Sequence, residues 1–299
     1  MVMVGGMQGA AWVPATKLVA SWFEDSSYAT MFSVLGCGST VAGMLLPLLQ
    51  SLYWRTVMFS LGAFMLIFTV TSRQWVLTED ANPRDRKESV AIEEQKAGYK
   101  TIMKSPVIWH IAIVYFFSME MRTICETWIP VFLDKKKVSS VEGFQFLYEL
   151  GGLSGGVISG MIADRLAGRI GVDPARRVIG VFFTITLMLA AIAVFNYAQY
   201  STLLGFPTGF FLYGSINIWC LIGSQAGYKS FAGTVSASVS FIASFGSIFA
   251  GIPLANLIAA YSMSIFTKIF VTQIVFVLFI SIFRIPLRMG TVSDEKKQQ

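Results

Sequence analysis

Charged residues are scarce in this chain. Only 13% of its 299 residues are Asp, Glu, Lys or Arg, whereas 55% are hydrophobic and 25 are Phe. Soluble domains usually carry about 25% charged residues. A soluble globular protein is therefore disfavoured, and the composition, with a mean hydropathy of +0.63, favours a polytopic membrane protein in contact with the lipid bilayer.

Histidine and cysteine are scarce as well. The chain has one histidine, His110, and three cysteines, Cys37, Cys125 and Cys220, each within an apolar segment. One histidine without a neighbouring nucleophile cannot build a catalytic triad, and an odd number of cysteines without metal-ligand spacing argues against a disulfide framework or a zinc site. We expect no metal, no cofactor and no enzymatic activity, which disfavours a membrane-embedded phosphatase.

Apolar runs of about 20 residues, the length that spans a hydrocarbon core, recur along the chain. The runs are continuously apolar rather than alternating, so they predict helices and not a β-barrel. We predict an all-α membrane protein with about nine transmembrane helices, near residues 1–22, 28–50, 55–77, 107–133, 143–165, 178–197, 202–224, 232–256 and 263–285.

The net charge of +6 could indicate a nucleic-acid partner, but the placement of the basic residues argues otherwise. They concentrate in alternate connections and in the tail, which is the positive-inside pattern. The pattern predicts a cytosolic C-terminus and no nucleic acid, with Lys135, Lys136 and Lys137 as the exception. The main basic residues of these connections are Arg84, Arg86, Lys87, Lys96, Lys100, Lys104, Arg165, Arg169, Arg176, Arg177, Lys229, Arg288, Lys296 and Lys297.

One long polar segment, residues 78–106, divides the predicted helices into three and six. It has charges of both signs and prolines near its ends, which indicates a cytosolic loop. We predict a partial N-terminal bundle at 1–77, a C-terminal six-helix bundle at 107–287 and a cytosolic tail at 288–299. Many transporters join two six-helix bundles by such a loop, so we expect this chain to be a truncated product or isoform rather than a reduced protein.

An arginine lies within the apolar run VYFFSMEMRTICETWIPVFL. A charge at the bilayer centre costs about 2.5–3.5 kcal/mol, so Arg122 must face protein or a water-filled path. Glu126 is one helical turn further on the same face and can pair with it, whereas Glu120 points elsewhere. The guanidinium fork also matches phosphate oxygens. The pair is either a structural ion pair or a phosphate site at which Glu126 competes with substrate.

The segment GMIADRLAGRIGVDPARR follows the next predicted span. Its spacing Gly-x-x-x-Asp-Arg-x-x-Gly-Arg resembles the cytoplasmic-loop signature of the major facilitator superfamily. The glycine permits close helix approach, and the aspartate can cap or bridge cytosolic helix ends that part during transport. The predicted gating residues are Gly160, Asp164, Arg165, Gly168 and Arg169.

Glycines also recur every four residues in LYELGGLSGGVISG, at Gly152, Gly156 and Gly160. No Lys-Ser or Lys-Thr follows, so close helix packing is favoured over a phosphate-binding loop. At the other end of the chain, Lys296 and Lys297 are the fourth and third residues from the C-terminus. They fit a dilysine retrieval signal for the endoplasmic-reticulum membrane, with a solvated basic tail as the alternative.

Three longer segments resemble the organophosphate:phosphate antiporters of the major facilitator superfamily. They are GGMQGAAWVPATKLVASWFEDSSYATMFSVLGCGSTVAGMLLPLL, similar to helices four and five of that family, FQFLYELGGLSGGVISGMIADRL, similar to helix eight, and FAGTVSASVSFIASFGSIFAGIPLANLI, similar to helix eleven. The tail RMGTVSDEKKQQ is similar to that of the animal members of the endoplasmic reticulum. The resemblance implies a partial major facilitator fold without its first three helices.

The resemblance also implies exchange of a sugar phosphate, most simply glucose 6-phosphate, for inorganic phosphate, with functional coupling to a glucose-6-phosphatase. It places Arg122 at the family's phosphate-binding basic residue, six positions before Trp128. The family's carboxylate next to that tryptophan is Thr127 here, with Glu126 one residue earlier. The polar position of the fifth helix falls near Ser39 and Thr40.

In the family a second basic residue, in the first helix, completes a clamp on the phosphate. That helix has no counterpart in this chain, so we expect the chain alone to transport poorly. The alternative hypothesis is a non-transporting subunit or regulatory isoform that associates with a full-length transporter.

Overall fold

The structure is a computed structural model that describes residues 15, 19, 23, 27–49, 53–72, 104–137, 141–226 and 232–282. For residues 46–49, 72, 232 and 233 it describes the backbone alone. The first predicted span except residues 15 and 19, the loop at 78–106 except its last three residues, and the tail with Lys296 and Lys297 lie outside these ranges.

The described residues form α-helices, with one π-helical turn and one short 3-10 helix, and they contain no strand. The helices are α1 (Tyr28–Leu49), α2 (Trp54–Ser72), α3 (Pro106–Thr123), the π turn (Ile124–Trp128), α4 (Ile129–Lys136), α5 (Val141–Ile170), α6 (Val172–Asn196), the 3-10 helix (Ala198–Tyr200), α7 (Ser201–Gln225), α8 (Ala232–Phe249), α9 (Ile252–Tyr261) and α10 (Ile265–Ile282).

Eight helical stretches of the described chain are long and apolar enough to cross a membrane. They coincide with eight of the nine predicted spans, which confirms the all-α membrane fold class. The stretch Pro106–Lys136 joins α3, the π turn and α4, and the stretch Thr234–Tyr261 joins α8 and α9 across a break. The remaining prediction, residues 1–22, falls on a range of which the structure describes only residues 15 and 19.

Close backbone contact between α5 and α7 organises the C-terminal bundle. A Cβ atom added at Gly151 or Gly155 would collide with the carbonyl groups of Phe206 or Phe210. Side chains larger than hydrogen would therefore push the two helices apart. The predicted glycine packing is confirmed, because Gly156 likewise abuts a neighbouring side chain, that of Asn217 on α7.

Aromatic stacking joins α6 to α10 on the other side of the bundle. The rings of Phe195 and Phe266 lie 4.3 Å apart with an interplanar angle of 15°. Phe195 also contacts Phe132 of α4 at 4.9 Å. These contacts hold α4, α6 and α10 together around one aromatic cluster.

The two N-terminal helices differ in their packing. Helix α1 lies against α5, and Tyr28, Ala29 and Phe32 are fully buried there. Helix α2 has no buried residue from Trp54 to Thr71. An apolar helix exposed on all sides is stable only in lipid or against further protein, so α2 is the least supported helix of the described chain.

Candidate functional site

The charged pair predicted from the sequence is present. The Nε atom of Arg122 donates to Oε1 of Glu126 at 2.8 Å, and the two side chains keep 35% and 36% of their surface exposed. A fully buried pair would be inaccessible to substrate, whereas about a third of the surface of each side chain is accessible here. The guanidinium therefore retains donors that a second anion can reach.

The backbone widens where this pair is attached. Arg122 is in the last turn of α3, and Glu126 is inside the π turn that follows. Pro130, two residues after the end of that turn, has no amide hydrogen, and a regular helix would press its ring against the carbonyl of Glu126, four residues earlier. The wider turn accommodates the proline, and π turns of this kind are frequent at functional sites.

A second carboxylate lies near the pair and was missed by the sequence analysis. The Cζ atom of Arg122 is 6.0 Å from the ring centre of Tyr213, whose hydroxyl donates to Glu149 at 3.5 Å. Gln145 donates to the other oxygen of Glu149 at 3.1 Å. Glu149 is inside the apolar run FQFLYELGGLSGG, so the rule that singled out Arg122 should also have found it.

This cluster faces the N-terminal half of the chain. A Cβ atom added at Gly43 of α1 would lie 2.6 Å from the carboxyl carbon of Glu149. The ring of Tyr148, 5.9 Å from that of Tyr213, is fully buried, and its hydroxyl has no hydrogen-bond partner among the described residues. We refer to Arg122, Glu126, Tyr148, Glu149 and Tyr213 as the central cluster.

The structure does not bring all predicted substrate residues together. Trp128 donates its indole hydrogen to the carbonyl of Ala250 at 2.7 Å. That carbonyl lies at the break between α8 and α9, so the contact joins the π turn to this break. Thr40 is buried against α5, where a Cβ atom on Gly152 would touch its methyl group at 3.1 Å.

Ser39 is on a different face of α1 from Thr40. Its side chain is exposed, and its hydroxyl donates to the carbonyl of Gly36 in its own helix at 3.2 Å. Among the described contacts it has none with the central cluster. Its role in substrate binding therefore stays a prediction.

Asp164 joins the C-terminal bundle to α1. Its carboxylate accepts hydrogen bonds from the backbone amides of Ala29 and Thr30 at 3.3 and 2.9 Å and from the Thr30 hydroxyl at 2.6 Å. A carboxylate at a helix N-terminus satisfies free amide groups and complements the helix dipole. Gly160 permits this approach, because a Cβ atom there would lie 2.5 Å from the carbonyl of Ala29.

The other three residues of the predicted gating motif make no such contacts with the described residues of α1. Arg165, Gly168 and Arg169 are exposed at the end of α5, and nothing lies within 4 Å of a Cβ atom placed on Gly168. Within the described part of the chain, only Gly160 and Asp164 of the predicted gating motif therefore contact α1. The described residues also contain no group of three His, Cys, Asp or Glu side chains suited to a metal ion.

The fold defines a multi-pass helical membrane protein that holds a cluster of charged and tyrosine side chains between its helices. The sequence matches the model of the Major Facilitator Superfamily over residues 1–251. The chain therefore belongs to this superfamily of transporters, which is not a family of enzymes.

Individual relatives are similar at low identity. A probable hexose phosphate transport protein of Chlamydia trachomatis is 25% identical over 288 residues, covering 84% of this chain and 62% of the relative. The glycerol-3-phosphate transporter of Bacillus subtilis is 25% identical over 277 residues, covering 82% and 61%. The membrane sensor protein UhpC of Escherichia coli is 21% identical over 276 residues, covering 83% and 62%. The chain thus spans less than two thirds of the length of these relatives.

Proposed function

We propose that this chain takes part in the exchange of a sugar phosphate for inorganic phosphate across a membrane. The observation that carries the proposal is the partly exposed Arg122, paired with Glu126 inside a membrane-spanning stretch. A lone structural pair would gain by being closed to water, whereas an anion-binding arginine needs access. Relatives named for hexose phosphate and glycerol 3-phosphate supply the class of anion.

The exchange follows from competition for one guanidinium. In the resting state Glu126 neutralises Arg122, and an arriving phosphate displaces the carboxylate by offering oxygens to both sides of the fork. The displaced carboxylate competes for the guanidinium, so it promotes release of the bound anion, and a second phosphate-bearing anion can then bind in its place. Glucose 6-phosphate and inorganic phosphate share this group, so each can replace the other.

The sugar part of the substrate has donors and acceptors available in the same cluster. The hydroxyl of Tyr148 has no hydrogen-bond partner among the described residues, and Glu149 and Tyr213 lie beside it. Trp128, Ser39 and Thr40 lie outside the central cluster, and we retain them as proposed substrate residues. We propose that Asp164 holds one set of helix ends together until the substrate is bound and that alternating access requires this contact to break.

We further propose that the protein works in the endoplasmic-reticulum membrane with its C-terminus in the cytosol. The support is the dilysine pair at positions 296 and 297 and the basic loops described above. A glucose-6-phosphatase of that membrane would consume the imported sugar phosphate and return inorganic phosphate for exchange. Expression of a Lys296→Ala, Lys297→Ala chain tests the signal, and an unchanged location would remove this support.

The experiment for transport is uptake of labelled phosphate into proteoliposomes preloaded with phosphate or glucose 6-phosphate. It compares the 299-residue chain with a version extended at its N-terminus by the first three helices of a full-length relative. We expect exchange from the extended form and little from the short one, because the second basic residue of the family's clamp is in the added helices. Vigorous exchange by the short form would contradict the clamp.

The residue test uses the same vesicles and the extended chain. Arg122→Ala should abolish exchange, and Arg122→Lys should retain only part of it, because lysine keeps the charge and loses the fork. Arg55→Ala is the matched control, since Arg55 is exposed on α2 beside Trp54. Normal exchange by Arg122→Ala, at equal expression, would reduce the pair to a structural role.

A second candidate function is a non-transporting subunit or regulatory isoform. It is favoured by one observation, the exposed α2, which leaves an apolar helix for another membrane protein to cover. One relative is named a membrane sensor rather than a transporter. Co-purification of the tagged chain with an untagged full-length transporter, together with absence of exchange by the chain itself, would support this function.

A further inference from the structure

Another carboxyl group, separate from the two of the central cluster, lies deep in the C-terminal bundle. Glu120 is fully buried in α3, on a different face from Arg122. A Cβ atom added at Gly246 of α8 would lie 2.9 Å from the amide nitrogen of Glu120, so α8 covers this part of α3 closely. A carboxylate in such a place is costly unless it is paired.

The partner of Glu120 is an amide. Gln273 of α10 donates its Nε2 hydrogen to Oε2 of Glu120 at 2.7 Å, and Gln273 keeps 7% of its surface exposed. The two remaining oxygens, Oε1 of Glu120 and Oε1 of Gln273, are buried without a hydrogen-bond partner among the described residues. When Glu120 is ionised both atoms are hydrogen-bond acceptors, so neither can satisfy the other.

The groups around the pair do not supply a countercharge. On its own helix, Arg122 is already bonded to Glu126. Helix α8 has no titratable residue from Ala232 to Phe249, α7 offers Tyr213 and Cys220, and the lysine of α10, Lys268, is exposed. The described helices that pack on α3 therefore bring no cation to Glu120.

We propose that Glu120 and Gln273 form a proton-binding site in which the carboxyl group is held in its neutral form. One proton on Oε1 of Glu120 turns that atom into a donor toward Oε1 of Gln273, while Oε2 continues to accept from Nε2. A carboxylic acid and a carboxamide form two parallel hydrogen bonds in this way, and both unpartnered atoms are satisfied by the single proton. The proposal does not depend on which substrate is transported.

Loss of the proton would leave a buried negative charge with one hydrogen bond and an opposing amide oxygen. The contact between α3 and α10 should then weaken. If the folded bundle holds this proton and the unfolded chain releases it, the folded state binds more protons, and stability falls as pH rises. The pair thus makes the bundle sensitive to alkaline conditions.

The test combines infrared spectroscopy with thermal unfolding of the purified full chain in detergent. Wild-type protein at neutral pH should show the carbonyl stretch of a protonated carboxylic acid, and Glu120→Gln should remove one carboxyl equivalent of it. Glu120→Gln should also keep or raise Tm and flatten its fall at alkaline pH, because two amides form the same pair of hydrogen bonds. Glu142→Gln, at an exposed carboxylate of α5, is the control and should leave the band intact.

Two outcomes would overturn the proposal. One is an unchanged infrared band in Glu120→Gln. The other is a clear drop of Tm in that variant at neutral pH, which would mean that a negative charge is required at this position. Gln273→Leu separates the partners further, since it should shift the Glu120 band toward that of an isolated acid while leaving it present.

Discussion

At the scale of single residues, the central cluster combines one cation with two carboxylates. Arg122 is bonded to Glu126 and lies beside the ring of Tyr213, which in turn contacts Glu149. The distance between Arg122 and Glu126 is that of a charge-assisted hydrogen bond, and solvent access to both side chains reduces its contribution below the usual range of about 1.5–3 kcal/mol. A substrate that displaces Glu126 must replace that energy through its own oxygens.

Glu126→Gln should strengthen anion binding and slow exchange. The amide no longer neutralises Arg122, so phosphate meets a freer guanidinium and its apparent affinity should rise by about ten-fold, the equivalent of roughly 1.4 kcal/mol. Release should slow because no carboxylate competes for the arginine. KM and maximal rate of phosphate exchange by the extended chain measure both effects, and weaker binding in the variant would contradict the competition.

At the scale of elements, the helix pair α5 and α7 depends on small residues. Gly155→Ala places a methyl group against the backbone of Phe210 and should cost about 1–3 kcal/mol, the usual range for an overpacked core. Gly168→Ala is the matched control, because its surroundings on the same helix are open. Thermal unfolding in detergent compares the two, and equal Tm values would show that the helices adjust freely.

A chain of buried hydroxyl groups links α3, α6 and α7. Ser215 lies 2.8 Å from both the Ser118 and the Thr184 hydroxyls, and Thr184 accepts from the indole of Trp219 at 2.9 Å. Each member is satisfied by the next, so buried polar atoms are stabilising rather than costly.

Ser215→Ala should break this chain in the middle. The Ser118 hydroxyl would lose its partner in the chain, and the loss should cost about 1–3 kcal/mol. Tm should fall relative to Ser244→Ala, whose exposed hydroxyl bonds only within its own helix. A fall no greater than in that control would mean that the network contributes nothing to stability.

At the scale of the whole molecule, Asp164 joins the two halves. Its three hydrogen bonds to Ala29 and Thr30 hold the beginning of α1 against the end of α5. Transport by alternating access requires such ends to part and close again. We expect a contact of this type to set the balance between the state in which these helix ends are together and the state in which they are apart. It should not set the strength of substrate binding.

Asp164→Ala should therefore shift the chain toward the conformation in which these ends are apart. Removal of a helix cap usually costs about 1 kcal/mol, or five-fold in a two-state balance. Cys37 of α1 reports the change, because it faces α5 and is partly exposed while Cys125 and Cys220 are buried. Its labelling by a maleimide should accelerate, and Asp134→Ala, at an exposed aspartate of α4, should leave the rate unchanged.

The sequence by itself determined the membrane class, the eight spans of the described chain, the close packing of the glycines and the pairing of Arg122 with Glu126. These follow from hydrophobic run length and from the 3.6-residue helical period, which are local properties. The wider turn before Pro130 and the position of Glu149 also had local signals, a helix-internal proline and an intramembrane carboxylate.

Only the tertiary structure decided which side chains from distant helices meet. Glu149 and Tyr213 are 64 residues apart, and Glu120 and Gln273 are 153 apart. Such pairings depend on helix rotation and crossing within the bundle, because the apolar faces of these helices are nearly uniform and leave the rotation undetermined by the sequence pattern. The cap at the start of α1 is of the same kind, since its aspartate is contributed by another helix.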